Sequence, residues 1–226
     1  MDVQLNFIEQ GQGQPMVLLH GNGEDSSYFV HQIAHFSKSY RVIAIDTRGH
    51  GQSPRGEKPF AIKQFAEDLK DFLDARNIAK AVILGFSDGG NIALEFALKY
   101  PERVEKLILN GANLFPSGVK PLYQWPIEVG YRIAKLFSQK SEKAKQNAEM
   151  LGLMVNEPHI DPSELARLTM PVLVVAGTKD MIKESHIRLI YKSLPNAQLA
   201  FVEGDHFVAN KNAEAFNKVV EDFLSR

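Results

Sequence analysis

Ala81-Val82-Ile83-Leu84-Gly85-Phe86-Ser87-Asp88-Gly89-Gly90-Asn91-Ile92-Ala93-Leu94-Glu95-Phe96-Ala97-Leu98 sets one serine between an apolar run and a helix-like run. The first run has the length and branching of a buried strand, and the second has the spacing of an amphipathic helix. A turn tight enough to push a serine hydroxyl out at the end of a strand forces strained backbone dihedrals. Side chains two residues either side of the serine would clash there, which explains glycine at 85 and 89. Ser87 therefore reads as a nucleophile on a strand-to-helix turn. The competing role, an ordinary helix N-cap, needs neither glycine.

Outward from this segment, short β-branched runs alternate with longer amphipathic ones, the pattern of strand–helix–strand units in a mainly parallel α/β sheet. Strands are expected at Gln4–Glu9, Met16–Leu19, Val42–Ile45, Ala81–Leu84, Val104–Leu109, Val172–Ala176 and Gln198–Val202. Most are almost wholly apolar, as strands covered on both faces must be. Helices are expected at Ser27–Phe36, Ile62–Ala75, Gly89–Lys99, Ile182–Ser193 and Ala213–Leu224. Gly11-Gln12-Gly13-Gln14-Pro15 precedes a strand, so it reads as a hairpin turn and not as a dinucleotide loop. Between Gly111 and Pro171 no strand-like run occurs. Helical patterns at Leu122–Phe137 and Glu142–Val155 and a turn at Ser163–Leu168 mark residues 112–170 as a helical insertion in a core of residues 1–111 and 171–226.

The chain has 226 residues, 44% of them hydrophobic, and a net charge of −1. That length suffices for one sizeable core, and the charge gives no electrostatic footprint for nucleic acid or an anionic membrane. A small-molecule partner is the expectation, with neither nucleic acid nor membrane. No apolar stretch reaches the ~18 residues of a membrane span, and Met1–Asn6 lacks the basic start and apolar middle of a signal peptide. The absence of cysteine removes disulfides, thiolate metal sites and a cysteine nucleophile, and fits a cytoplasmic protein.

In open α/β sheets ligands bind beyond the carboxyl ends of the strands. Here those positions carry His20-Gly21-Asn22-Gly23, Asp46-Thr47-Arg48-Gly49-His50-Gly51-Gln52-Ser53, Gly177-Thr178-Lys179-Asp180 and Gly204-Asp205-His206-Phe207. A serine hydroxyl needs a base to take its proton, and the base needs a carboxylate to fix its tautomer. His206 and Asp180 follow strands at the correct edge for both roles. The backbone N–H groups of Asn22 and Asp88 can serve a developing oxyanion. His20, Asp46, Arg48 and His50 read as holders of strand-end turns. His31 and His35 could share a helix face, but without the glutamate of a zinc motif they read as solvated, and no metal or cofactor is expected.

HGNG, DTRGHGQS, GFSDGG, GTKD and GDHF, with the order Ser87, Asp180, His206, resemble the α/β-hydrolase superfamily over nearly the whole chain outside Gly111–Pro171. The resemblance implies Ser87 as nucleophile, His206 as base, Asp180 as acid and Asn22 and Asp88 as oxyanion donors, with the insertion as a short cap. An alternative family position for the acid, after the fifth strand, holds Asn110-Gly111-Ala112-Asn113 and no carboxylate. The family's usual first strand is missing, because Val3–Glu9 already resembles the second arm of the opening hairpin. Relatives with a similar G-x-S-D-G-G segment cleave amino-acid esters, which implies a substrate-amine role for the Asp88 side chain. Trp125, with Tyr123 and Phe137, is a candidate lining of an apolar pocket under the cap, packing of the cap on the core being the other explanation. The expectation is a cofactor-independent serine hydrolase of a small carboxylic ester or related acyl compound. Thioesters, amides, lactones and carbon–carbon bonds beside a carbonyl fall within the same chemistry. The competing class is a sensor that keeps the fold with a vestigial triad.

Overall fold

The computed structural model describes residues 2–226. Seven strands, β1 (Phe7–Gln10), β2 (Pro15–Leu19), β3 (Arg41–Ile45), β4 (Ala81–Phe86), β5 (Val104–Asn110), β6 (Val172–Gly177) and β7 (Ala197–Val202), form one sheet. Their spatial order is β1-β3-β2-β4-β5-β6-β7. All pairings are parallel except β1 with β3. Side chains alternate between two covered faces, as a strand's period of two requires. Val17, Leu19, Ile83 and Leu109 face α2 (Ile62–Ala75), α3 (Asp88–Lys99) and α6 (Glu184–Ser193). Met16, Leu18, Leu84 and Ile108 face α1 (Val30–Phe36), α7 (Val208–Lys211) and α8 (Ala213–Leu224). β4, which ends at the segment carrying Ser87, is the central strand of this sheet.

The expected hairpin at Gly11–Pro15 does not exist. β2 uses both of its edges in parallel pairing, with β3 and with β4, so β1 pairs on the far side of β3. The connecting loop crosses the start of β3, where the Arg41 N–H donates to the Gln14 carbonyl at 3.0 Å. Gly11, at φ +86°, passes so close that a Cβ would lie 2.2 Å from the Tyr40 carbonyl oxygen. A glycine-rich loop looks the same in sequence whether it closes a hairpin or crosses a strand. β1 also starts later than expected, although the Asn6 carbonyl still accepts from the Asp46 N–H at 2.9 Å.

Between β5 and β6 lie α4 (Pro121–Phe137), α5 (Glu142–Asn156) and short 3-10 turns at Pro116–Gly118 and Pro162–Arg167. Ser141 caps α5 by accepting from the Ala144 N–H. The two helices pack mainly on each other. α4 buries only Gln124 and Ala134, and α5 only Leu153. The pair is tied to the rest of the chain by polar bonds. Arg55 holds Glu149 through Nε and Nη2 at 2.8 and 2.6 Å, and Glu157 accepts from the Ile62 N–H at 2.7 Å. Among the described residues no helix is long and apolar enough to cross a membrane.

Candidate active site

Ser87 stands between β4 and α3 at φ 53° and ψ −120°, a conformation that costs a residue with a Cβ about 1–3 kcal/mol. It makes no side-chain capping bond to α3. The strain persists because the flanks are locked. A Cβ on Gly85 would lie 2.2 Å from the Gly89 carbonyl oxygen, and one on Gly89 would lie 2.0 Å from that of Leu19. The Ser87 N–H is held by the Asn110 carbonyl at 2.8 Å. The hydroxyl is therefore fixed over the sheet edge before any ligand arrives.

His206 arrives from the loop after β7 and sets Nε2 3.0 Å from Ser87 Oγ. Its Nδ1 lies 2.7 Å from Asp180 Oδ1, in the loop after β6. Gly111 makes room for the ring, since a Cβ there would fall 2.7 Å from His206 Cε1. Asp180 is 2% exposed and accepts further from the Ile182 N–H at 2.9 Å and the Gly177 N–H at 3.2 Å. Burial alone would raise its pKa. The His206 hydrogen bond and charge, together with the two backbone donors, outweigh that and hold the carboxyl below its ordinary value. The Lys120 ammonium donates to the Asp180 carbonyl at 2.5 Å, fixing the loop from the other side. Three residues spread over 119 positions thus form one hydrogen-bonded line from carboxylate to hydroxyl. An imidazole so placed can take the hydroxyl proton while the carboxylate offsets the imidazolium charge.

Asp88 follows the serine directly in the chain, and its side chain meets that of Asn22. Asn22 Nδ2 donates to Asp88 Oδ2 at 2.9 Å and to the Met150 carbonyl of α5 at 2.7 Å. Asn91 donates to Asp88 Oδ1 at 3.1 Å and to Asn113 Oδ1 at 3.1 Å. Asp88 is 7% exposed, and burial pushes its carboxyl up to about 6 against these amide bonds. The Asn22–Asp88 and Asn91–Asn113 bonds join segments far apart in sequence, and no local pattern marks these pairings.

Glu24 and Tyr28 also went unseen in the sequence. Glu24 Oε2 and the Tyr28 hydroxyl are buried without a partner among the described residues. Burial raises the Glu24 carboxyl to about 7, against the Gly21 N–H and the nearby His206, which lower it. Tyr28 stacks on Phe86 at 4.5 Å, and Phe86 in turn lies 4.9 Å from the His206 ring. The motif HGNGED contained the signal: an acidic residue directly after the glycine-flanked loop.

His20, Asp46, Arg48 and His50 hold loops. Burial, with the charge of His50 beside it, lowers His20 to about 4, so it is neutral, donating from Nδ1 to the Gly21 carbonyl and accepting the Thr47 N–H at Nε2. Asp46 accepts from the Ser26 and Gln52 N–H groups and from Asn6. Arg48 is fully buried in a two-bond pair with Asp68 at 2.7 Å and also reaches Asp2. His31 is exposed and His35 lies 3.9 Å from Glu221; no cluster of three metal-ligating side chains occurs among the described residues. Trp125 is not enclosed under the helical insertion. It stands 69% exposed on the outer face of α4, and Tyr123 and Phe137 are exposed as well. The helical period was correct, but the side of α4 that packs is the one bearing Gln124 and Ala134.

Residues 14–149 match a family model described as the alpha/beta hydrolase fold. Human serine hydrolase BPHL is 31% identical, over 98% of this chain and 83% of its own. 3-Oxoadipate enol-lactonase 2 of Acinetobacter baylyi is 27% identical, over 100% and 94%. Among solved structures, the enol-lactonase from Burkholderia xenovorans LB400 superposes with a TM-score of 0.83 at 23% identity, covering 99% of this chain and 97% of that one, a likeness of fold.

Proposed function

From the premise that this chain belongs to the α/β-hydrolase fold family, we propose that it is a serine hydrolase cleaving a small carboxylic ester or related acyl compound through an acyl-enzyme on Ser87. The observation that carries the reading is the unbroken contact line from Asp180 through His206 to Ser87, at 2.7 and 3.0 Å. Ser87 Oγ attacks the carbonyl carbon as His206 Nε2 takes its proton. The oxyanion collects on the N–H groups of Asn22 and Asp88, each such donor being worth about 10²–10³ in turnover. His206 returns the proton to the leaving oxygen, and the acyl group stays on Ser87. Water, deprotonated by His206, then releases the carboxylic acid. The relatives' names, a serine hydrolase and a lactonase, fit acyl–oxygen cleavage. In this reading residues 112–170 form a cap on a core of residues 1–111 and 171–226, and α5 roofs the site through the Asn22–Met150 bond.

A second observation bears on the substrate. Asp88, next to the serine in the chain, and Glu24, near enough to His206 to feel its charge, are buried carboxyl groups of raised pKa, and among the described residues neither forms an ion pair with a basic side chain. An ammonium group on the substrate would supply the missing positive charge, so Asp88 selects amine-bearing esters. Comparing kcat/KM for an aminoacyl ester and its des-amino analogue tests this. Equal values refute it.

Hydrolysis of p-nitrophenyl esters of graded acyl length, with Ser87→Ala beside the parent protein, tests the main proposal. Turnover abolished by Ser87→Ala is the expected outcome. A folded parent protein that retains a ligand stoichiometrically without turnover would instead make it a sensor.

A further inference from the structure

Helix α4 is apolar on a side that nothing covers among the described residues. At about 100° per residue, Leu122, Trp125, Val129, Ile133 and Leu136 form one stripe, opposite the packed residues Gln124 and Ala134. Leu122 is 79% exposed, Leu136 73%, Trp125 69% and Ile133 56%. Of the nine large hydrophobic side chains exposed among the described residues, six lie on this one helix. Isolated exposed hydrophobics are ordinary, but a continuous stripe marks a contact surface.

Charge identifies the partner. From Pro121 to Lys145 the chain carries five Lys or Arg against two Glu, a local charge of +3 within a chain of net −1. Arg132 borders the stripe with its side chain 78% exposed, and Lys140 and Lys143 extend from the turn and the start of α5. A second copy of the chain fits poorly. A helix of this length offers a strip roughly 25 Å by 10 Å, about 250 Å², against the roughly 800 Å² per partner of a stable protein interface. Pairing two such faces would also bring like charges together. An apolar stripe with Trp and Leu, rimmed by Lys and Arg, is the composition of a helix lying in a lipid interface. The whole-chain charge, which gave no anionic-membrane footprint, averages over this segregation.

We infer that the outer face of α4 docks on an anionic lipid surface, with Trp125 and Leu136 in the acyl boundary and Arg132 and its basic neighbours among the headgroups. Docking there brings the helical pair that touches Asn22 down onto the lipid. The inference stands on the α4 surface alone and does not depend on the bond the enzyme cleaves.

Trp125 is the only tryptophan in the chain, so intrinsic fluorescence reports this face without a label. Mixed phosphatidylcholine/phosphatidylglycerol vesicles should shift its emission to the blue and allow quenching by brominated acyl chains. Salt or pure phosphatidylcholine should weaken both effects. Leu136→Asp should weaken vesicle binding about tenfold or more, and Arg132→Glu with Lys135→Glu should do the same through charge. Because these positions are exposed, circular dichroism and hydrolysis of a soluble ester should stay unchanged. Absence of any shift or co-sedimentation at low ionic strength would overturn the inference, as would α4 variants that bind like the parent protein. Concentration-dependent dimers dissolved by Leu136→Asp would overturn it too, by assigning the face to a second copy.

Discussion

Replacing Asp180 with asparagine keeps the shape of the site and removes one charge, and the contacts around Asp180 leave the new side chain no comfortable orientation. The carboxylate receives Ile182 N–H and His206 on Oδ1 and Gly177 N–H on Oδ2. An asparagine can take two orientations. With its oxygen toward His206 and Ile182, its amide faces the Gly177 N–H at 3.2 Å, donor against donor. That orientation leaves buried donors unsatisfied at about 1–3 kcal/mol. It also replaces a charge-assisted bond to the imidazolium with a neutral one, a loss of about 1–2 kcal/mol or 5- to 30-fold in rate. With the amide toward His206, Nδ1 must accept and Nε2 carries the proton, so the ring cannot take the Ser87 proton. The expected loss is then about 10⁴ in kcat. Both orientations lower kcat at least fivefold and leave KM nearly unchanged, because Asp180 is buried away from the ligand. Steady-state kinetics on a soluble ester, with circular dichroism as a folding control, measures this. A folded Asp180→Asn protein with kcat within twofold of the parent would refute the role of Asp180.

Asn22→Ala removes the bonds to Asp88 and to Met150. It should lower kcat about tenfold, short of the 10²–10³ that a lost oxyanion donor costs, while KM changes less; kinetics on a soluble ester reads both. Gly89→Ala puts a methyl 2.0 Å from the Leu19 carbonyl oxygen. Backbone must move, so thermal denaturation should show a melting temperature lower by about 5 °C or more. Glu24 is raised from 4.5 to about 7 by burial, so in this interval the folded chain binds more protons than the unfolded one. Its contribution to stability therefore falls as pH rises from 4.5 to about 7. Glu24→Gln should flatten that dependence, seen as a smaller difference between melting temperatures at the two ends of the interval; an unchanged slope would show that the Glu24 carboxyl is not perturbed.

The range of each interaction decides how much of the fold and of the site was legible in the sequence. The strands were legible because a strand covered on both faces must be apolar throughout, and β2, β4 and β6 are. Gly85, Ser87 and Gly89 were legible because one strained turn imposes all three locally. The position of β1 was not, since its partner is chosen by which strand edge remains open. The helices at Leu122–Phe137 and Glu142–Val155 showed their period, yet period alone does not say which side packs. Trp125 was consequently expected inward and stands outward. The Asn22–Asp88 and Asn91–Asn113 bonds and the Arg48–Asp68 pair left no trace in the sequence because each joins segments that only the folded chain brings together. Net charge concealed the basic side chains around one apolar helix face for the simpler reason that a sum discards position.

A covalent acyl intermediate on Ser87 is tested directly by intact-mass analysis under rapid quench with p-nitrophenyl acetate. One acetyl group per chain is predicted, mapped to the peptide holding Ser87, formed with the p-nitrophenolate burst and absent from Ser87→Ala. Turnover that persists in Ser87→Ala, or catalysis by the parent protein with no adduct at any time, would contradict it.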